Sequence, residues 1–142
     1  MTANAPIHAT SVARRFADGW RAVLVTGPSG TGKSDLALRL TARGWRLIAD
    51  DYTHVTADDG ALYASPPASI VDRIEVRGVG IVAARTRPVA RIALVVECAF
   101  VPVERLPEPE SRRFHGLDLP LIRLDPRQAS AVEKVAVALQ TL

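Results

Sequence analysis

The residues best equipped for chemistry lie in one run, Gly27-Pro28-Ser29-Gly30-Thr31-Gly32-Lys33-Ser34. It fits the phosphate-binding pattern G-x-x-x-x-G-K-[ST] at every fixed position. Glycines let the backbone curl until several N–H groups point at phosphate oxygens, and a helix start behind them adds partial positive charge. Lys33 supplies a full charge for β- and γ-phosphates, and the Ser34 hydroxyl can sit on Mg²⁺. Phosphoryl transfer needs three things besides this cradle: a metal ligand, a group for the nucleophile's proton, and positive charge for the transition state. Asp50 and Asp51 offer the first two between them. Neighbours on a strand point to opposite faces, so only one of the pair faces the phosphates unless the strand has already ended. Glu75 precedes Gly78 and Gly80, a bend where backbone can approach a ligand closely; taken alone it reads as a surface strand acid. His8, His54 and His115 have no metal-ligand spacing, which argues against zinc.

These side chains need elements to hold them. Ala22–Thr26 is a compact β-branched run bounded by glycine, a buried strand feeding the loop. Asp35–Leu40 carries strong helix formers, and the helix that starts at Ser34 is expected to stop near Arg43-Gly44. Residues 7–16 read as an opening strand that turns at Asp18-Gly19 and pairs antiparallel with the loop's own strand. Trp45–Ala49 is a further strand ending in the two aspartates. Tyr52–Ala57 and Ala61–Ala64 flank Asp58-Asp59-Gly60 as a hairpin. Ser65-Pro66-Pro67 breaks structure; residues 68–73 lead into Ile74–Val82, a strand running into a tight bend. Arg85–Arg91 is a basic, proline-broken loop. Ile92–Ala99 is the clearest buried strand, Val101–Pro109 is irregular, and Leu117–Leu124 is another strand. Apolar residues at 132, 135, 136 and 139 mark one helical face, with Asp125-Pro126 as the expected helix start. Many strands and two helices predict a single α/β domain with a mixed sheet and few helices, not a regular doubly wound βαβ array.

Composition narrows the partners. An apolar fraction of 48% with 23% charged residues is ordinary for a soluble globular chain, and 142 residues suffice for one real core. The net charge of +3 comes almost wholly from arginine, since Lys33 and Lys134 are the only lysines. A lysine in the glycine run is therefore a specific choice. With 5% aromatics the chain has no basic stripe interleaved with rings, which argues against nucleic acid. No stretch is apolar for long enough to span a membrane. The N-terminus lacks a signal-peptide layout, so a cytoplasmic location is expected. Cys98, the single cysteine, sits in a strand pattern and reads as a packed thiol.

Four stretches in order carry a resemblance. They are Gly27–Ser34; Arg43-Gly44-Trp45-Arg46-Leu47-Ile48-Ala49-Asp50-Asp51; Ala64-Ser65-Pro66-Pro67; and Ile74-Glu75-Val76-Arg77-Gly78-Val79-Gly80-Ile81. Together they resemble the C-terminal catalytic domain of HPr kinase/phosphorylase, in a short α-proteobacterial-type form, over residues 7 to about 127. The resemblance implies a phosphate-loop domain whose core is related to phosphoenolpyruvate carboxykinase. It implies ATP and Mg²⁺ as cofactors, the phosphocarrier protein HPr as partner, and a homo-oligomer. By position it makes Asp50 the proton acceptor of the kinase reaction and the donor of its reverse. Ser34 and Glu75 would hold Mg²⁺, with Asp51 as the further carboxylate beside them. Lys33 would neutralise phosphate, His8 would match the family's active-site histidine, and Arg105 its catalytic arginine.

Set beside the family pattern, the chain is expected to lack the N-terminal domain of long members, to have its C-terminal region reduced to one helix, and to carry a short loop at Arg85–Arg91. The segment the family uses for dephosphorylation corresponds to Asp125-Pro126-Arg127. The expected activity is serine phosphorylation of HPr from ATP, with phosphorolysis as its reverse. The alternatives are an ATP-binding regulatory module that signals through a protein partner, and a small-molecule kinase or simple nucleoside triphosphatase.

Overall fold

In the computed structural model, residues 5–67, 73–83, 86–100, 102 and 104–142 are described. Residues 68–72, Arg85, Val101 and Val103, which belong to segments read above, lie outside them. The chain opens with β1 (Ile7–His8), β2 (Thr10–Phe16) and β3 (Gly19–Thr26), followed by α1 (Lys33–Thr41). Then come β4 (Arg46–Ala49), β5 (Tyr52–Asp58), β6 (Ala61–Ser65), β7 (Arg73–Val76) and β8 (Gly80–Ala83). The last part holds β9 (Ala90–Cys98), β10 (Glu110–Phe114), β11 (Leu117–Leu124) and α2 (Ala131–Gln140).

β3 is the strand the rest is built on. Its residues alternate between two buried faces, with Val23 and Val25 in one core cluster and Ala22 and Leu24 in the other. A strand covered on both sides must be apolar throughout, which is why this run lacks the polar alternation of a half-exposed strand. It pairs antiparallel with β2 (Val12 opposite Val23) and parallel with β9 (Val25 opposite Val96). The sheet runs β1-β5-β6-β9-β3-β2-β4, and β11 joins parallel to the end of β9 while carrying β10 at the edge. The sheet curls: Thr53 of β5 bonds both the Ser11 hydroxyl and the Ala9 carbonyl of the β2 segment. β7 and β8 form a separate hairpin.

The result is a mixed α/β fold with a curled mixed sheet and, among the described residues, two helices. Both pack on one face, where Leu36, Ala37 and Leu40 of α1 meet Val132, Val135 and Leu139 of α2 in one cluster with Val23, Val25 and Val96. The opposite face closes on itself through Leu62, Leu119 and Leu121. No helix among the described residues is long and apolar enough to cross a membrane.

Two readings change. Asp125-Pro126 does not start α2, which begins at Ala131. The Asp125 carboxylate instead accepts the Arg127 N–H at 2.9 Å, and Gln128 N–H bonds the Asp125 carbonyl at 3.1 Å, so two turns precede the helix. The second change is β10, a strand with no sequence signal. Four of its five residues are exposed and three are charged, Glu110, Arg112 and Arg113. An edge strand wet on both faces carries no apolar alternation, and charge there discourages further pairing.

Candidate functional site

β3, β9 and β11 run parallel, so their C-terminal ends gather at one side of the sheet, the usual location of a ligand crevice in such arrangements. There the glycine loop connects β3 to α1. Gly27 adopts φ +140, and a Cβ on it would lie 2.8 Å from the Cys98 carbonyl oxygen, so the loop can pass β9 this closely only with glycine. Gly32 stands at the helix start with φ +100 and packs against Pro126. The Thr31 hydroxyl and backbone N–H both bond the Pro28 carbonyl, closing the loop. Lys33 is buried; its ammonium donates to the carbonyls of Gly27 at 2.8 Å and Pro28 at 3.0 Å. The ammonium thus lies folded over the loop's hollow, within reach of any anion seated there.

Across the cleft β4 ends at Ala49, and the two aspartates that follow are held differently. Asp50 is 7% exposed. Its Oδ1 accepts the Ser34 hydroxyl at 2.6 Å and the Thr10 hydroxyl at 3.2 Å, while Oδ2 accepts the Glu75 backbone N–H at 3.0 Å. Asp51 adopts φ 70, unusual for a residue with a side chain, and its N–H is held by the Thr10 oxygen at 3.1 Å. This left-handed step breaks strand alternation and brings both carboxylates to the loop. Asp51 is exposed, and its Oδ1 lies 2.9 Å from Nε2 of His8. The His8 ring in turn lies 5.4 Å, centroid to centroid, from that of Tyr52.

The cleft between these parts has a volume of about 550 Å³ and is lined by Ser29–Ser34, Asp51, Glu75, Arg77, Phe100 and Arg127, among others. Lys33, Ser34, Asp50, Asp51, Glu75 and His8 thus come together from four elements. Arg105 does not join them; it is exposed in the irregular segment before β10 and is not among the residues lining the cleft. Thr10 escaped sequence reading, although it joins both aspartates; its spacing of two from His8 was the available signal, since strand alternation puts such residues on one face. Phe100 and Arg127 as walls of the cleft were also not anticipated.

The donor set suits a hard cation. A hydroxyl tied to a carboxylate, with Asp51 and Glu75 carboxylates nearby, matches Mg²⁺, which takes one or two protein carboxylates and completes its shell with phosphates and water. Among the described residues, no group of three or more His, Cys, Asp or Glu side chains could hold a metal unaided. Cys98 lies under the loop, where burial pushes its thiol up to about 11, so it is packing and not a nucleophile.

A family model described as HPr Serine kinase C-terminal domain matches residues 20–106, more than half of the chain. An HPr kinase/phosphorylase of Geobacillus thermodenitrificans (strain NG80-2) is 37% identical over 113 residues, covering 72% of this chain and 37% of that protein. The HPr kinase/phosphorylase of Clostridium botulinum (strain Eklund 17B / Type B) is 48% identical over 60 residues, covering 42% of this chain and 20% of that protein. The chain thus spans between a fifth and little over a third of the length of these curated relatives. A solved structure, that of the Hpr(Ser) kinase/phosphatase from Coxiella burnetii, superposes with a TM-score of 0.81. The match covers 97% of this chain and 95% of that one at 20% identity, so the likeness is one of fold.

Proposed function

The chain belongs to the HPr serine kinase C-terminal domain family, and on that premise we propose that it is an ATP- and Mg²⁺-dependent serine kinase acting on the phosphocarrier HPr. The observation that carries this reading is the division between the two aspartates: one buried on the Ser34 hydroxyl, the next exposed against His8. Transfer of a phosphoryl group needs one acid to fix the metal ligand and another to take the nucleophile's proton, and the two environments suit those two jobs.

Asp50 fixes Ser34 and, through its second oxygen, the strand that carries Glu75; Ser34 and Glu75 are the groups within the cleft that would hold Mg²⁺, which leaves the Asp51 carboxylate free. Held there, the ion would supply positive charge against that developing on the transferred phosphoryl group. Lys33 and the loop N–H groups hold the triphosphate and stabilise the same charge. Asp51, not Asp50, is then the better proton acceptor for a serine hydroxyl. Its carboxylate is open to a protein substrate, whereas that of Asp50 already takes three hydrogen bonds in a buried position. His8 orients Asp51 and can share the proton. In the reverse direction inorganic phosphate would attack phosphoserine, releasing pyrophosphate while Asp51 returns the proton to the serine oxygen. Arg105 belongs to this scheme only if the segment carrying it closes over the cleft when HPr binds. A cytoplasmic, homo-oligomeric catalyst completes the reading.

The test is incubation with HPr, ATP and Mg²⁺, followed by mass spectrometry of HPr. One phosphoserine per HPr is expected, and phosphorylated HPr with inorganic phosphate should release pyrophosphate. Unmodified HPr, with ATP bound or hydrolysed, would exclude the kinase reading.

A further inference from the structure

The acid side of the cleft is taken up by the reaction, yet the opposite wall is also built. β9 runs out into Ala99-Phe100 and β11 into Asp125-Pro126-Arg127, two neighbouring strand ends tied by the Ala99 N–H to Leu124 carbonyl bond at 3.0 Å. Phe100 is 47% exposed, and the Arg127 guanidinium carbon lies 3.7 Å from its ring centroid. Arg127 is itself clamped: its Nε and Nη2 donate to the Asp125 carboxylate at 3.0 and 2.8 Å. That pairing holds the Asp125 carboxyl below the usual carboxylate range. Both Phe100 and Arg127 line the cleft that the glycine loop opens into. A single exposed phenylalanine means little, but a ring at the mouth of a phosphate site, with a guanidinium over it that is also paired to a neighbouring carboxylate, offers a base two planar groups to lie against.

We propose that Phe100 and Arg127 form the stacking platform for the base of the bound nucleoside triphosphate; this rests on the reading of the glycine loop as a triphosphate site. A triphosphate held at the loop with its reacting end toward Asp51 must direct its nucleoside away from that end, and the Phe100–Arg127 wall is the other built side of the same cleft. Aromatic rings and arginine planes bind bases by stacking, which is strong without reading hydrogen-bond edges. The platform therefore adds affinity for a purine ring with little choice between adenine and guanine. The ion pair with Asp125 pre-orders it, so less freedom is lost on binding.

Calorimetric titration of the full chain with ATP and, separately, with inorganic tripolyphosphate, both with Mg²⁺, separates base from phosphates. Phe100→Ala should weaken ATP roughly tenfold and leave tripolyphosphate within about twofold, while Phe100→Trp keeps ATP affinity. The proposal falls if Phe100→Ala leaves ATP affinity unchanged, or if it weakens ATP and tripolyphosphate alike. Wild-type chain that binds neither ligand would overturn the triphosphate reading and this platform with it.

Discussion

Two parts of the molecule gather carboxylates, and they treat them in opposite ways. On the β10–β11 hairpin and the β9 strand beside it, three acids each have an arginine: Asp118 with Arg113 at 2.9 Å, Glu110 with Arg123 at 2.9 Å, and Glu97 of β9 with the same Arg123. These partners hold the Asp118 and Glu110 carboxyls below the usual range, and the pairs stand in solvent. At the bend after β4, Asp50 receives its hydrogen bonds from neutral donors, two hydroxyls and a backbone N–H. A carboxylate held by neutral groups carries no cationic partner of its own, and here it turns the Ser34 hydroxyl and the Glu75 strand toward the cleft. One paired with arginine has such a partner already. Acidic residues alone therefore do not mark the site; acids held by neutral donors in a strained turn do.

The contrast can be broken most severely at Asp50. Asp50→Ala strips the Ser34 and Thr10 hydroxyls and the Glu75 N–H of a buried acceptor, so unfolding should become easier by about 1–3 kcal/mol. Mg²⁺-dependent ATP binding should weaken with it; chemical denaturation and calorimetry read the two effects. An Asp50→Ala chain of wild-type stability would mean the bend is no more built than the hairpin. A smaller effect sits between the regions, at Cys98, which ends β9 opposite Leu124. Its raised thiol keeps its proton in the folded chain after the unfolded chain has lost it. That contribution is complete below the unfolded thiol's range, near ~8.5, and is lost as pH climbs toward about 11. Cys98→Ala should flatten the alkaline limb of the stability profile over that window; an unchanged limb would contradict the burial argument. Least affected is the hairpin: Arg113→Ala breaks a solvent-screened pair and should leave the thermal midpoint where it was. A clear drop there would show that the surface pairs carry more than the contrast allows.

Much of this was legible in the residues themselves. Strong local patterns survived folding: the Gly27–Ser34 run between strand and helix, the Asp59-Gly60 turn between β5 and β6, and the apolar stripe of α2. So did the mixed sheet with few helices. What stayed hidden depended on long-range contact or on backbone geometry without a composition signal. The different settings of Asp50 and Asp51 go with a positive φ at a non-glycine residue, held by contacts to Thr10 of β2 and His8 of β1. Strand alternation alone gave no way to choose which aspartate faces the substrate. β10 is polar on both faces because it is an edge, and the helix expected at Asp125-Pro126 lost to a side-chain turn that local rules also permit. The nearness of Phe100 to Arg127 is fixed by the parallel register of β9 and β11, a pairing that no short window of sequence contains.

The division between the two aspartates is tested most directly by the rate of phosphoryl transfer from saturating ATP to HPr in the Asp51→Asn chain. If Asp51 takes the serine proton, the rate falls by about 10²–10⁴-fold while ATP affinity stays within about twofold of wild type. Transfer at the wild-type rate in Asp51→Asn, with Asp50→Asn silent yet still binding Mg²⁺ and ATP normally, would return the proton to Asp50 and contradict the account.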